Sequence, residues 1–313
     1  MAGPYAHLTL LHELVNSLDP SPTGSPMSQV VSAVQTHFPF CALGGVSPDF
    51  PNLSQDPAGV AWSDAMHYVN SGEIITRGVP YVRNAPAEIR PKLLAWLLGY
   101  CAHVVSDLTI HPVVRIKVGD YTENRRRHRI CEMNQDSHIF SRMNLGEIRD
   151  ADTFTRDILA CREGGGDCLD GDMAAMWESL LRDTHPGLYA KNHPAIQEWF
   201  SRYNALASSP DGQSGHLFPL AALISADIGR DYPVREMIET RYVGDLTVPG
   251  GRIMGYDQVF TAALENVRRL WVVVGEGVAA SGDRFPCCIG NWNLDTGQDE
   301  EGRIVLWDSP TNE

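Results

Sequence analysis

Residues 99–112, GYCAHVVSDLTIHP, carry His103, Asp107 and His111 at strict four-residue spacing inside an otherwise apolar run. On an α-helix each step of four turns the side chain by about 40° and advances it by about 6 Å, so all three point to one side. Leu97, Leu98, Val104 and Leu108 flank that side and make the segment a core helix. Two imidazoles and a carboxylate buried there without partners would cost several kcal/mol. Any fold for this chain must therefore bring satisfying groups into a helix interior, and metal is the leading candidate.

Axial rise sets how such a site is divided. His103 and Asp107 are close enough to share an ion, whereas His103 and His111 are separated by about 12 Å of axial rise and cannot. One helix thus implies at least two ions. His128 and Glu132, in RRRHRICE, repeat the four-residue spacing on a second predicted helix, and His67, Asp49 and His7 are further candidate ligands. A mixture of imidazole and carboxylate points to zinc before magnesium or calcium, which favour all-oxygen shells.

Helical periodicity dominates the rest of the chain. It predicts helices over 5–18, from 28, and near 60–70, 86–110, 126–143, 153–162, 172–183, 194–206 and 255–275, an all-α class. CALGGVSPDFPNL reads as a loop because Gly44, Gly45, Pro48 and Pro51 exclude regular structure; RYVGDLTVP and GRIVLWD suggest short strands. Residues 205–215 read as a linker, and the division is a helical domain over 1–280 with an irregular extension over 281–313.

A formal charge of −14 opposes attraction to nucleic acid or anionic membranes. Against it stands a local basic cluster at Arg125, Arg126, Arg127 and Arg129, from which Arg125 and Arg127 are candidate phosphate or head-group contacts. Seven cysteines without regular spacing do not form a secreted disulfide framework. The first twenty residues lack a basic segment followed by an apolar one, and His103 and Asp107 break the longest apolar run. The expectation is a soluble, cytoplasmic protein with no transmembrane segment.

YAHL, GGVSPDFP, AMHY, LLGYCAHVVSDLTIHP and HRICE, in that order over residues 5–145, resemble the zinc-dependent phospholipase C family, which shares its fold with single-strand nucleases. The resemblance implies a multi-helix bundle with zinc between its helices. It implies one zinc on Asp49, His67, His103 and Asp107, with Asp107 bridging to a second ion that His7 also binds, and a third on His111, His128 and Glu132. Secreted relatives add the amine and carbonyl of an N-terminal Trp; here Ala2, freed by removal of the initiator Met, would take that role. The implied chemistry is phosphodiester hydrolysis by a metal-bound hydroxide that Asp49 orients as general base, on a phosphoester small molecule or lipid head group. A single-strand nuclease, or a non-hydrolytic protein on the same fold, are the alternatives.

Overall fold

A computed structural model describes residues 2–19, 24–208, 217–280 and 289–307. Its axis is helix α6, Arg90–Val118, in which every residue from Leu93 to Val114 is buried. It is the one described helix long and apolar enough to cross a membrane, yet its apolar stretch is wholly covered by other helices. That covering is what an all-round apolar helix requires in a globular core. Around it pack α1 (Pro4–Asn16), α2 (Pro26–Thr36), α3 (Phe38–Gly44), α5 (Ser71–Asn84), α7 (Tyr121–Phe140) and α13 (Tyr256–Ala279). Helix α4 (Pro57–Tyr68) leads into α5, and α8 to α11 (Thr153–Leu159, Gly171–Thr184, Pro186–Tyr189, Ile196–Ala207) extend the core through Trp177, Trp199 and Tyr203. Helix α12, Pro219–Ile228, lies against α1, α7 and α11. The described residues are all-α apart from one two-stranded ribbon, Leu246–Thr247 against Ile253–Met254, with Leu246 opposite Met254.

Segments that differ from the sequence reading include α12, which no predicted helix covers, and the three that follow. The stretch read as a loop begins inside α3 and ends in a 3₁₀ turn, Phe50–Ser54. Its glycines are there for close approach: a Cβ on Gly44 would lie 2.1 Å from the Trp96 carbonyl oxygen, and one on Gly99 1.9 Å from that of Cys41. Helix α6 does not stop before Pro112 but runs on to Val118. Proline cannot donate to the Leu108 carbonyl, and Gly297, at φ +68°, packs against that carbonyl and the Pro112 ring. Helix α5 has no counterpart among the helices the sequence predicts; it contains Gly72, Gly78 and Pro80, and Gly78 seats Leu97 of α6.

Residues 209–216, most of the expected linker, lie outside the described residues, as do 281–288 and 308–313. Residues 289–307 form no helix, and the described part of GRIVLWD, 302–307, contributes an isolated bridge from Ile304 to Gln298. This segment nonetheless lies on the helical body: Leu294 is fully buried and its N–H donates to the His67 carbonyl at 3.0 Å. Cys41, Cys101, Cys131, Cys161 and Cys168 are free thiols.

Candidate metal centre

Asp107 is fully buried at the middle of α6, and four imidazoles surround its carboxylate. On one side His103 Nε2 lies 3.3 Å and His67 Nε2 3.9 Å from Oδ2. On the other His111 Nε2 lies 3.2 Å and His7 Nε2 3.3 Å from Oδ1. The same Oδ1 accepts a hydrogen bond from the Ala2 backbone nitrogen at 2.9 Å. Asp49, held in the turn after α3, reaches in with Oδ1 3.6 Å from His67 Nε2. The rings of His7 and His103 stack, with centroids 4.1 Å apart.

The outer nitrogens of these rings decide what the inner ones can do. A backbone carbonyl can only accept, so the nitrogen that faces it must carry the proton. His67 Nδ1 faces the Ser63 carbonyl at 2.7 Å and His103 Nδ1 the Gly45 carbonyl at 3.0 Å. The close α3–α6 crossing at Gly44 and Gly99 is what brings that Gly45 carbonyl to the ring. His7 Nδ1 lies 2.8 Å from Ser106 Oγ, whose own proton goes to the His103 carbonyl, so the hydroxyl must accept from His7. In the neutral rings Nε2 is then a bare lone pair in all three.

His67 Nε2 and His103 Nε2 are 3.3 Å apart, a separation at which two bare nitrogens repel unless a proton or a metal ion lies between them. Burial lowers the His67 pKa, which favours the neutral, ligand-competent ring. His7 Nε2, His111 Nε2, Asp49 Oδ1 and Asp107 Oδ2 are all buried and make no hydrogen bond. Acceptors converging without donors are costly in a protein interior and are what a cation needs. Among the described residues, two overlapping sets have ligand atoms within 4.8 Å of one another: His7, Asp49 and His103, and His67, His103 and Asp107.

His128 and Glu132 stand one turn apart on α7, with Nδ1 and Oε1 3.9 Å apart. His128 Nε2 donates to the Gly119 carbonyl at 2.6 Å, which leaves Nδ1 as the bare atom, and burial lowers its pKa. Glu132 also accepts from Arg129 Nη1 at 3.0 Å. With His111 these two residues do not make a third such close set. His111 Nδ1 faces Asp295 Oδ1 at 3.4 Å, from the segment after α13.

A cleft of about 650 Å³ adjoins the centre, lined by Ala2, Asp49 and His67. Leu220, Leu223 and Ile224 of α12, with Val60 of α4, give it an apolar wall. Helix α7 supplies Tyr121, Arg125 and Arg129. Arg129 is 7 % exposed; burial opposes its charge, but Glu132, Tyr121 and Asp49 keep it firmly protonated. Arg125 is exposed and pairs with Asp227 of α12 at 2.8 Å, whereas Arg127 is exposed and does not line the cleft. Sequence reasoning singled out neither Arg129 nor Asp64, Tyr68, Ser106 or Asp295. Period alone could have separated the arginines, since Arg125 and Arg129 share a face of α7 with Glu132 at i, i+4 and i+7 and Arg127 does not.

The molecule is thus an α-helical protein with a buried histidine–carboxylate centre that could hold metal. A model of the zinc-dependent phospholipase C family matches residues 6–194, from the first turns of α1 to just past α10. The chain belongs to the zinc-dependent phospholipase C family. No curated protein and no solved structure matches it.

Proposed function

We propose that the protein is a zinc-dependent phosphodiester hydrolase of the phospholipase C type. The observation that carries this reading is the convergence of bare imidazole nitrogens and carboxylate oxygens around Asp107, beside a cleft that holds a buried arginine. Bound zinc would supply a hydrolytic nucleophile from water near neutral pH and offset charge on a phosphoryl group. A bare nitrogen serves one ion, so His103 belongs to a single ion, grouped in our reading with His67, Asp49 and Asp107. His7 and the other oxygen of Asp107 would hold a second, joined by the Ala2 amine once Met1 is removed. His111, His128 and Glu132 would hold a third.

The remaining roles fall to side chains that line the cleft. Asp49 Oδ1 is buried and without a hydrogen bond, and would take up a proton as general base. Arg129 would bind a phosphoryl oxygen from a fixed position, with Arg125 as a looser second contact. The α12 wall offers contact to an apolar part of the substrate.

The test is zinc content together with hydrolysis of bis(p-nitrophenyl) phosphate, phosphatidylcholine vesicles and single-stranded DNA. At least two zinc ions per chain and turnover of the first two substrates are expected. Fewer than two ions sinks the reading; digestion of DNA alone moves the protein to the nuclease type. Full zinc occupancy without phosphoester turnover makes the metal structural. Asp49→Asn should keep most of the zinc and lose about 10²–10⁴-fold in turnover, and unchanged turnover would remove Asp49 from the mechanism.

A further inference from the structure

His111 differs from the other four imidazoles in what holds its outer nitrogen. His67, His103 and His128 donate to backbone carbonyls and His7 to a hydroxyl. His111 Nδ1 faces a carboxylate oxygen, Asp295 Oδ1, at 3.4 Å. That carboxylate lies outside the stretch matched by the family model.

The segment around Asp295 is fastened to the centre at several points. Ser71 Oγ donates to the Trp292 carbonyl at 2.7 Å and accepts from the Trp292 N–H at 2.9 Å. Leu294 N donates to the carbonyl of His67 itself at 3.0 Å. Downstream, Trp307 Nε1 donates to the Thr109 carbonyl of α6 at 2.8 Å. The N–H groups of Asp295 and Thr296 both donate to Asn293 Oδ1, which fixes the turn that presents the carboxylate. The second oxygen of Asp295 accepts from Tyr68 Oη at 2.9 Å, so the carboxylate is held from both sides.

We infer that Asp295 is a positioning residue of the metal centre: it fixes the His111 ring through Nδ1, so that Nε2 is presented beside Asp107. A carboxylate on the outer nitrogen sets the tautomer, stops the ring from rotating and makes the inner nitrogen a stronger donor to metal. The segment 289–307 is therefore a working part of the centre and not merely a tail laid over it. This inference rests on the reading of the cluster as a zinc site.

The experiment is zinc titration of the full chain against a chromophoric chelator, for wild type, Asp295→Ala, Asp295→Asn and Leu294→Ala. Asp295→Ala should weaken one zinc per chain by about 10–100-fold and leave the tightest ion unchanged. Asp295→Asn, whose amide oxygen still accepts a hydrogen bond, should fall between Asp295→Ala and wild type. Leu294→Ala loosens the same segment but keeps the carboxylate, and should lower the melting temperature without weakening zinc. Should Asp295→Ala fail to fold, Asp295→Asn and Tyr68→Phe carry the test, both with weaker binding of that one ion. Wild-type affinity in both Asp295 variants overturns the inference, as does equal loss of zinc in Leu294→Ala and Asp295→Ala. A wild-type chain that takes up no zinc overturns the zinc reading and this inference with it.

Discussion

The two faces of the Asp107 carboxylate are built by different means. On the Oδ2 face, the outer nitrogens of His67 and His103 rest on backbone carbonyls of Ser63 and Gly45. On the Oδ1 face, His7 and His111 rest on side chains, Ser106 and Asp295, and the neighbouring groups come from the first and last described segments. A carbonyl in a packed helix cannot be removed by one substitution, whereas a hydroxyl or carboxylate can. The comparison teaches that one face is fixed by the fold itself and the other by individual residues that can be lost or tuned.

The largest expected effect comes from the group both faces share. Asp107→Asn should remove the two zinc ions that share this carboxylate, leaving at most the ion on His111, His128 and Glu132, and lower phosphodiester turnover by several orders of magnitude. Its amide can donate to the bare nitrogens around it, so in chelator the variant should melt at or above wild type, while with zinc it melts below. Retention of more than one ion by Asp107→Asn would break the idea of a shared carboxylate.

A smaller effect should appear on the Oδ1 face alone. Ser106→Ala removes the acceptor that fixes the His7 tautomer and should weaken one zinc by about 10-fold, near the low end for such partners. Titration curves identical to wild type would show that His7 needs no such help, and the contrast between the faces would fail there.

The smallest effect sharpens the comparison from outside the centre. His185 is also buried, with Nε2 unpartnered and its ring edge-on to Trp62 at 6.1 Å, but among the described residues it belongs to no close set of ligand atoms. Burial lowers its pKa to about 4, below the usual value of about 6.5 for an unfolded chain. The unfolded state therefore takes up the proton first, so the stability His185 contributes is full above about pH 6.5 and is lost as pH falls toward 4. In zinc-free protein, His185→Phe should flatten the dependence of melting temperature on pH over that window. An unchanged slope would mean that His185 is not a buried neutral ring.

Much of the centre was legible because α6 writes it in period. His103, Asp107 and His111 announce themselves by spacing, and His128 with Glu132 by the same rule. The helical class was legible for the same reason. What the sequence could not show is the set of atoms that orient those side chains. The carbonyls of Gly45, Ser63 and Gly119 are backbone groups with no residue signature, and Asp295 meets His111 only through tertiary docking. The end of helix α3 is hidden by glycine and proline, whose usual meaning as breakers is overridden by the close helix crossing at Gly44 and Gly99, and α5 carries glycine and proline within it, with Gly78 at its crossing with α6.

The meeting of Ala2 and Asp295 near one carboxylate has a consequence for the order of folding. Helices such as α6 and α7 form locally within about a microsecond, but joining segments so distant in sequence carries a large loop-closure cost and is slow. The centre is therefore expected to close only after the helical body has assembled, and on the zinc reading capture of the metal would come at the final stage of folding. A chain still being synthesised, with residues 289–307 not yet released, would hold the helices without the finished centre. In refolding experiments zinc uptake is then expected to lag behind the recovery of helical signal.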